Sequence, residues 1–169
     1  MNISKPQSSE YPPFAQKYIS KVDKNPLEIL HDQIDWITNY IKDNNDRMDY
    51  KYGEDKWSIK EALIHMIDTE QILAYRTLRI GRNDKTPLAG FQQDNFIQDN
   101  DFTHITPWDI LEEFTHQRRA TISMVKNFTK TELAKTGVAG DNSISVRGLI
   151  YMMAGHIQHH IQLFEERYR

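Results

Sequence analysis

The chain has 169 residues, no cysteine, and 21 Lys and Arg against 24 Asp and Glu, for a net charge of -3. This length fits one domain with a real core, while a mean hydropathy of -0.70 and apolar runs of only a few residues exclude a transmembrane helix. Intermixed charges leave no basic face for nucleic acid, and the missing thiols exclude disulfides and cysteine chemistry, so any site must use His, Asp or Glu.

The first residues, MNISKPQSSEYPP, lack the basic-then-apolar order of a signal peptide, and a cytoplasmic location is expected. Residues 1–24 carry Pro6, Pro12 and Pro13 with the aromatic anchors Tyr11, Phe14 and Tyr18, which predicts an extended arm packed on the body. Asn25 ahead of Pro26 marks a helix start, and Leu27, Leu30, Ile34, Ile37 and Ile41 recur at three-and-four spacing, predicting a first helix over about 26–43. Ser58 and Glu61 write a capping box, after which Ile59, Ala62, Leu63, Met66, Leu73 and Leu78 carry a second helix to Gly81. A polar connector with Pro87 and Gly90 then runs to Thr106, too long for a tight turn, so it reads as a crossover. Thr106 and Pro107 open a third helix striped by Trp108, Leu111, Phe114, Ile122, Val125 and Phe128 and interrupted by Arg118. Gly137, Gly140, Asp141 and Asn142 predict a loop, and Ser143 or Ser145 starts a fourth helix that runs close to the C-terminus. No strand is expected. Trp36, Trp57 and Trp108 are expected to fill the core and helix ends. The sum is an all-α four-helix bundle over 25–169, with a long crossover between the second and third helices and an N-terminal arm over 1–24.

The chemistry concentrates on histidine. On the fourth helix the ridge Val146, Leu149, Met153, His156, His160, Phe164 is apolar except for two imidazoles at i and i+4. Burying both costs about 1–3 kcal/mol for each unpaired nitrogen, which a cation would offset and apolar packing would not. His65, in the stripe of the second helix, supplies a third ring; three imidazoles from two helices make a divalent-metal site with an open position. His159 competes by its i, i+3 spacing from His156, but helix phase turns it toward the flank and Glu166, so it is assigned to the rim or to substrate contact. Asp68 and Glu70 follow His65 and could orient ligating rings, serve as a base, or pair with Arg76 or Arg118. Arg118, if buried, needs a partner: a carboxylate in the structural reading, an anionic substrate in the functional one.

Two ordered motifs carry a resemblance. Trp57, Ser58, Glu61 and His65 spell W-S-x-x-E-x-x-x-H, and Gly155, His156, His159 and His160 spell G-H-x-x-H-H. With Asp68, Glu70 and Arg76, the run from Thr86 to Asp94, and Phe114 with Arg118, the chain from Tyr11 onward resembles the DinB-like superfamily of small metal-binding four-helix proteins, in the branch of YfiT-like proteins and bacillithiol transferases. The resemblance implies His65, His156 and His160 as ligands of zinc, nickel or manganese, a homodimer, and a small-molecule substrate. For activity it implies S-transfer or isomerisation dependent on a low-molecular-weight thiol such as bacillithiol, or metal-dependent hydrolysis. The reading carried forward is a metal-dependent thiol S-transferase with Arg118, His159 and residues 86–96 as cleft walls. A hydrolase using Asp68 or Glu70 as base, and a non-catalytic stress-associated metal-binding protein, are the alternatives.

Overall fold

Four long helices begin where the sequence writes their starts. The computed structural model describes residues 1–169. After 3₁₀ turns at Ser8–Glu10 and Pro13–Ala15 come α1 (Gln16–Ile19), α2 (Pro26–Asp43), α3 (Ile59–Gly81), α4 (Gln93–Gln98), α5 (Pro107–Lys126), α6 (Lys130–Leu133), strands β1 (Thr136–Ala139) and β2 (Asn142–Ser145), and α7 (Val146–Arg167). At the head of α3, Ser58 Oγ accepts from the Glu61 amide at 3.1 Å while the Glu61 carboxylate accepts from the Ser58 amide at 2.6 Å. Thr106 and Asp109 repeat the device on α5, and Ser145 Oγ accepts from the Gly148 amide at 2.9 Å on α7. Asn25 does not cap α2: its Nδ2 donates to the Met1 carbonyl instead, so the preset φ of Pro26 opens that helix.

The four long helices form a closed ring in which α3 packs on α5 and α7, and α2 packs on α5 and α7 from the opposite side. No helix is long and apolar enough to cross a membrane. Two apolar clusters fill the interior, one containing Leu30, Leu73, Ile122 and Met153, the other Ile37, Ile67, Phe114 and Ile157. Along the helices the boundary between them falls at Gln33, Glu70 and Arg118, a buried polar layer across the middle of the bundle. Trp108 departs from its expected packing: it stands 53% exposed at the start of α5.

The expected loop after α6 is a hairpin. Thr136 pairs with Ser145 and Ala139 with Asn142, and the chain reverses through Gly140 (φ 56°) and Asp141 (φ 63°), the paired left-handed residues of a type I′ turn. Four-residue strands with a glycine in one give too little alternation to register as strands. The hairpin has a structural job, because the crossover docks on it: the Leu88 amide donates to Val138 O and the Gly140 amide to Leu88 O, each at 2.9 Å. That contact fixes residues 88–94 beside the bundle.

The arm is docked rather than trailing. Arg147 grips the Glu10 carboxylate from Nη2 at 2.6 Å and Nε at 2.7 Å, and buried Tyr151 donates to Ile3 O at 2.9 Å. α1 lies on α7 so closely that a Cβ on Gly155 would stand 2.1 Å from the Tyr18 carbonyl oxygen. Only glycine permits that approach, and the approach brings Lys17 and Tyr18 to the imidazoles of α7.

Candidate metal centre and its cleft

His65 on α3 and His156 and His160 on α7 converge inside the bundle. The Nε2 atoms of His65 and His156 are 3.1 Å apart and those of His160 and His156 3.2 Å apart. Two nitrogens each about 2.0–2.1 Å from one ion lie about 3.0 Å apart at a right angle and about 3.4 Å apart at the tetrahedral angle. The observed spacings fall in that interval. The rings are 4%, 2% and 9% exposed, so water does not satisfy them. Outside the triad their one hydrogen-bond partner is Thr69, whose Oγ1 lies 3.4 Å from His65 Nδ1. A proton on Nδ1 donated to that hydroxyl leaves the Nε2 lone pair free to face the other rings. Trp57 flanks His65 at 4.7 Å between ring centroids and Tyr18 meets His156 edge-on at 5.3 Å, closing two sides.

The electrostatics favour neutral, ligating imidazoles. Burial pushes His65 down to about 4, with the Asp94 carboxylate pulling weakly the other way. Burial also takes His156 and His160 well below the ordinary histidine range, and neighbouring imidazoles and Lys17 add to the effect. Three sp² donors held neutral, close and without proton donors aimed at them fit a divalent cation.

His156 and Thr69 reach the foot of an open cleft of about 630 Å³. Its walls come from α1 (Lys17, Tyr18), α3 (Thr69, Leu73, Arg76), the crossover (Gly90 to Asp94) and the hairpin turn (Gly140, Asp141, Asn142). The crossover was an expected wall; the arm and the hairpin turn were not, because nothing in their sequence links them to α3 or α7.

Other expected site residues lie elsewhere. Glu70 is turned to Arg118 and does not reach the triad: 2% exposed, it accepts from Arg118 Nε at 2.9 and 3.0 Å and from Nη2 at 2.6 Å. Arg118 does not line the cleft: it is fully buried, and its Nη1 donates to Leu30 O at 2.8 Å and Gln33 Oε1 at 2.9 Å. Gln33 passes the network on to Ala154 O at 2.8 Å. Asp68 is half-buried beside Glu113 of α5, away from the cleft; burial raises its pKa and Glu113 adds to that. His159 lies on the flank as its helix phase predicts, edge-on to His160 and Tyr18, but it does not line the cleft. Asp94, in the expected wall 86–96, is the carboxylate whose charge acts on His65; the helix that carries it is only six residues long and was not expected.

Comparison with known proteins follows the same lines. The sequence profile of the DinB superfamily matches residues 32–164. A protein of Oceanobacillus iheyensis, provisionally named a metal-dependent hydrolase, is 24% identical over 149 residues, covering 82% of this chain and 85% of its own length. YfiT from Bacillus subtilis, described as a probable metal-dependent hydrolase with an unusual four-helix bundle topology, shares the fold at a TM-score of 0.72 and 15% identity, over 98% of this chain and 92% of its own.

Proposed function

This chain belongs to the DinB superfamily, and from that premise we propose that it is a cytoplasmic metal-dependent enzyme in which His65, His156 and His160 hold one divalent ion. Thiol S-transfer to an electrophilic small molecule is the reaction we assign to it. The observation that carries the reading is the convergence of three buried, neutral Nε2 donors, one of whose rings, His156, lines a cleft. An ion held by three imidazoles keeps coordination positions open and acidifies a thiol or a water that reaches it. With no cysteine in the chain, the thiol has to come from a cosubstrate of low molecular weight. S-transfer needs no carboxylate base, and none is hydrogen-bonded to the triad. The Thr69 hydroxyl can take the Nδ1 proton of His65, and Trp57 and Tyr18 flank the rings. Zinc and nickel suit three imidazoles, while manganese, which the family resemblance also implies, prefers oxygen ligands; availability and geometry decide among them.

Hydrolysis is the second reading, favoured by the description of the relatives and by Asp94, the one carboxylate of the cleft that acts on His65. Elemental analysis of untagged protein tests the common premise: one equivalent of metal, lost in His156→Ala, is expected. Incubation of loaded protein with bacillithiol or glutathione and chlorodinitrobenzene then separates the readings. Thiol-dependent turnover above that of His160→Ala supports transfer. Turnover of esters or amides without thiol, lost in Asp94→Asn, replaces it with hydrolysis. A homodimer, implied by the family, is the accompanying proposal, and sedimentation equilibrium reads it directly.

A further inference from the structure

Two arginines of this chain are buried, and only one has a countercharge. Arg118 grips Glu70; Arg76, 9% exposed, makes one hydrogen bond, from Nη2 to the Ala89 carbonyl at 2.7 Å. The Phe91 ring lies 5.5 Å from its guanidinium carbon and, with Ala89, fixes the plane of the group. Its Nε and Nη1 donate to nothing in the protein, and both keep contact with solvent. Asp94 and Asp141 line the same cleft, yet neither comes within ion-pair distance, whereas Arg79, Arg82 and Arg147 each hold a carboxylate. A guanidinium withdrawn this far from water with no countercharge, and with two nitrogens still open to solvent, offers a planar fork of donors that matches a carboxylate or a phosphate.

Its place along α3 gives the fork a purpose. Arg76 follows His65 by eleven residues, three helical turns on the same face, with Thr69 and Leu73 between them on the cleft floor. At 1.5 Å per residue the two Cα atoms are about 16 Å apart along the axis. We infer that Arg76 anchors an anionic group of the substrate, a carboxylate or a phosphate borne at the end remote from the reacting atoms, so that the cleft selects elongated anionic small molecules. The inference rests on the cleft being the substrate site of the proposed enzyme. It makes Arg76 a binding residue, outside the reacting centre.

Titration calorimetry on the full chain, freed of metal by chelation, tests this without turnover. The probes are inorganic phosphate and succinate at low ionic strength. At least one is expected to bind, with affinity weakened about tenfold or more in Arg76→Gln and unchanged in Arg82→Gln, which removes an equal charge from the surface. Arg76→Lys keeps the charge and loses the fork, and is expected to bind more weakly than the natural chain. Preference for phosphate or for succinate identifies the group, and either supports the assignment. No binding of either probe, or equal weakening by Arg76→Gln and Arg82→Gln, overturns it; should Arg76→Gln fail to fold, unchanged affinity in Arg76→Lys does so. A metal-free chain that binds anions but never takes up metal defeats the metal reading alone, while a loaded chain blind to both probes defeats this inference alone.

Discussion

Two polar regions cross the interior of this bundle, and they differ in whether the protein completes them. Around Arg118, every guanidinium nitrogen has a partner, both Glu70 oxygens are occupied, and Gln33 links α2 to α5 and α7. In and beside the cleft, three imidazoles point at one another and Arg76 lines the wall with most of its donors unused. Both regions are largely withdrawn from water, so a completed network reads as architecture and an incomplete one as a place reserved for something else. Buried charge alone therefore does not mark a functional site; the missing partner does.

The largest effect should come from breaking the completed region. Arg118→Met leaves the Glu70 carboxyl group unpaired in the core, a loss of about 3–5 kcal/mol, or roughly 6–20 °C in melting temperature at this chain length. Adding Glu70→Leu should recover much of it, because the pair can be exchanged for apolar packing; calorimetric melts of the single and double variants decide. A smaller but clear loss, about 1–3 kcal/mol, is expected for Gly155→Ala, whose Cβ would strike the Tyr18 backbone. It should also free the arm, seen as faster proteolysis ahead of residue 20.

Acid sharpens the comparison from the other side. His65 titrates at about 4 in the folded chain against an ordinary value near 6.5, so the unfolded chain binds more protons between those limits. Metal-free protein should keep its full stability above about pH 6.5 and lose it progressively as pH falls toward about 4. Denaturant midpoints across that range check the sign, and a midpoint that rises in acid contradicts it. The smallest effect is the most diagnostic one: in metal-free protein, His156→Leu should leave the melting temperature within a degree or two, or raise it, because apolar packing replaces desolvated nitrogens. The same substitution should abolish the stabilisation that added metal gives the natural chain.

Much of the candidate site was legible in sequence because helices have a fixed period. Spacing of four on a buried ridge brings His156 and His160 to one side, and the helix phase separates them from His159 without reference to any neighbour. The role of Glu70 and Arg118 was not legible. Their spacing allowed a base, a substrate ligand or an ion pair, and only the facing of α3 and α5 chose the last. The short helix that carries Asp94 and the hairpin were missed for a related reason: a six-residue helix and four-residue strands are too short to show a period.

By itself the sequence determined the four helices, their caps and the presence of three imidazoles on buried faces, all consequences of interactions within a few residues along the chain. Tertiary structure decided which buried charges are matched, that the crossover rests on a hairpin, and that an arm held by Gly155 completes the cleft. Those outcomes depend on contacts between segments tens of residues apart, and local periodicity carries no information about which faces meet.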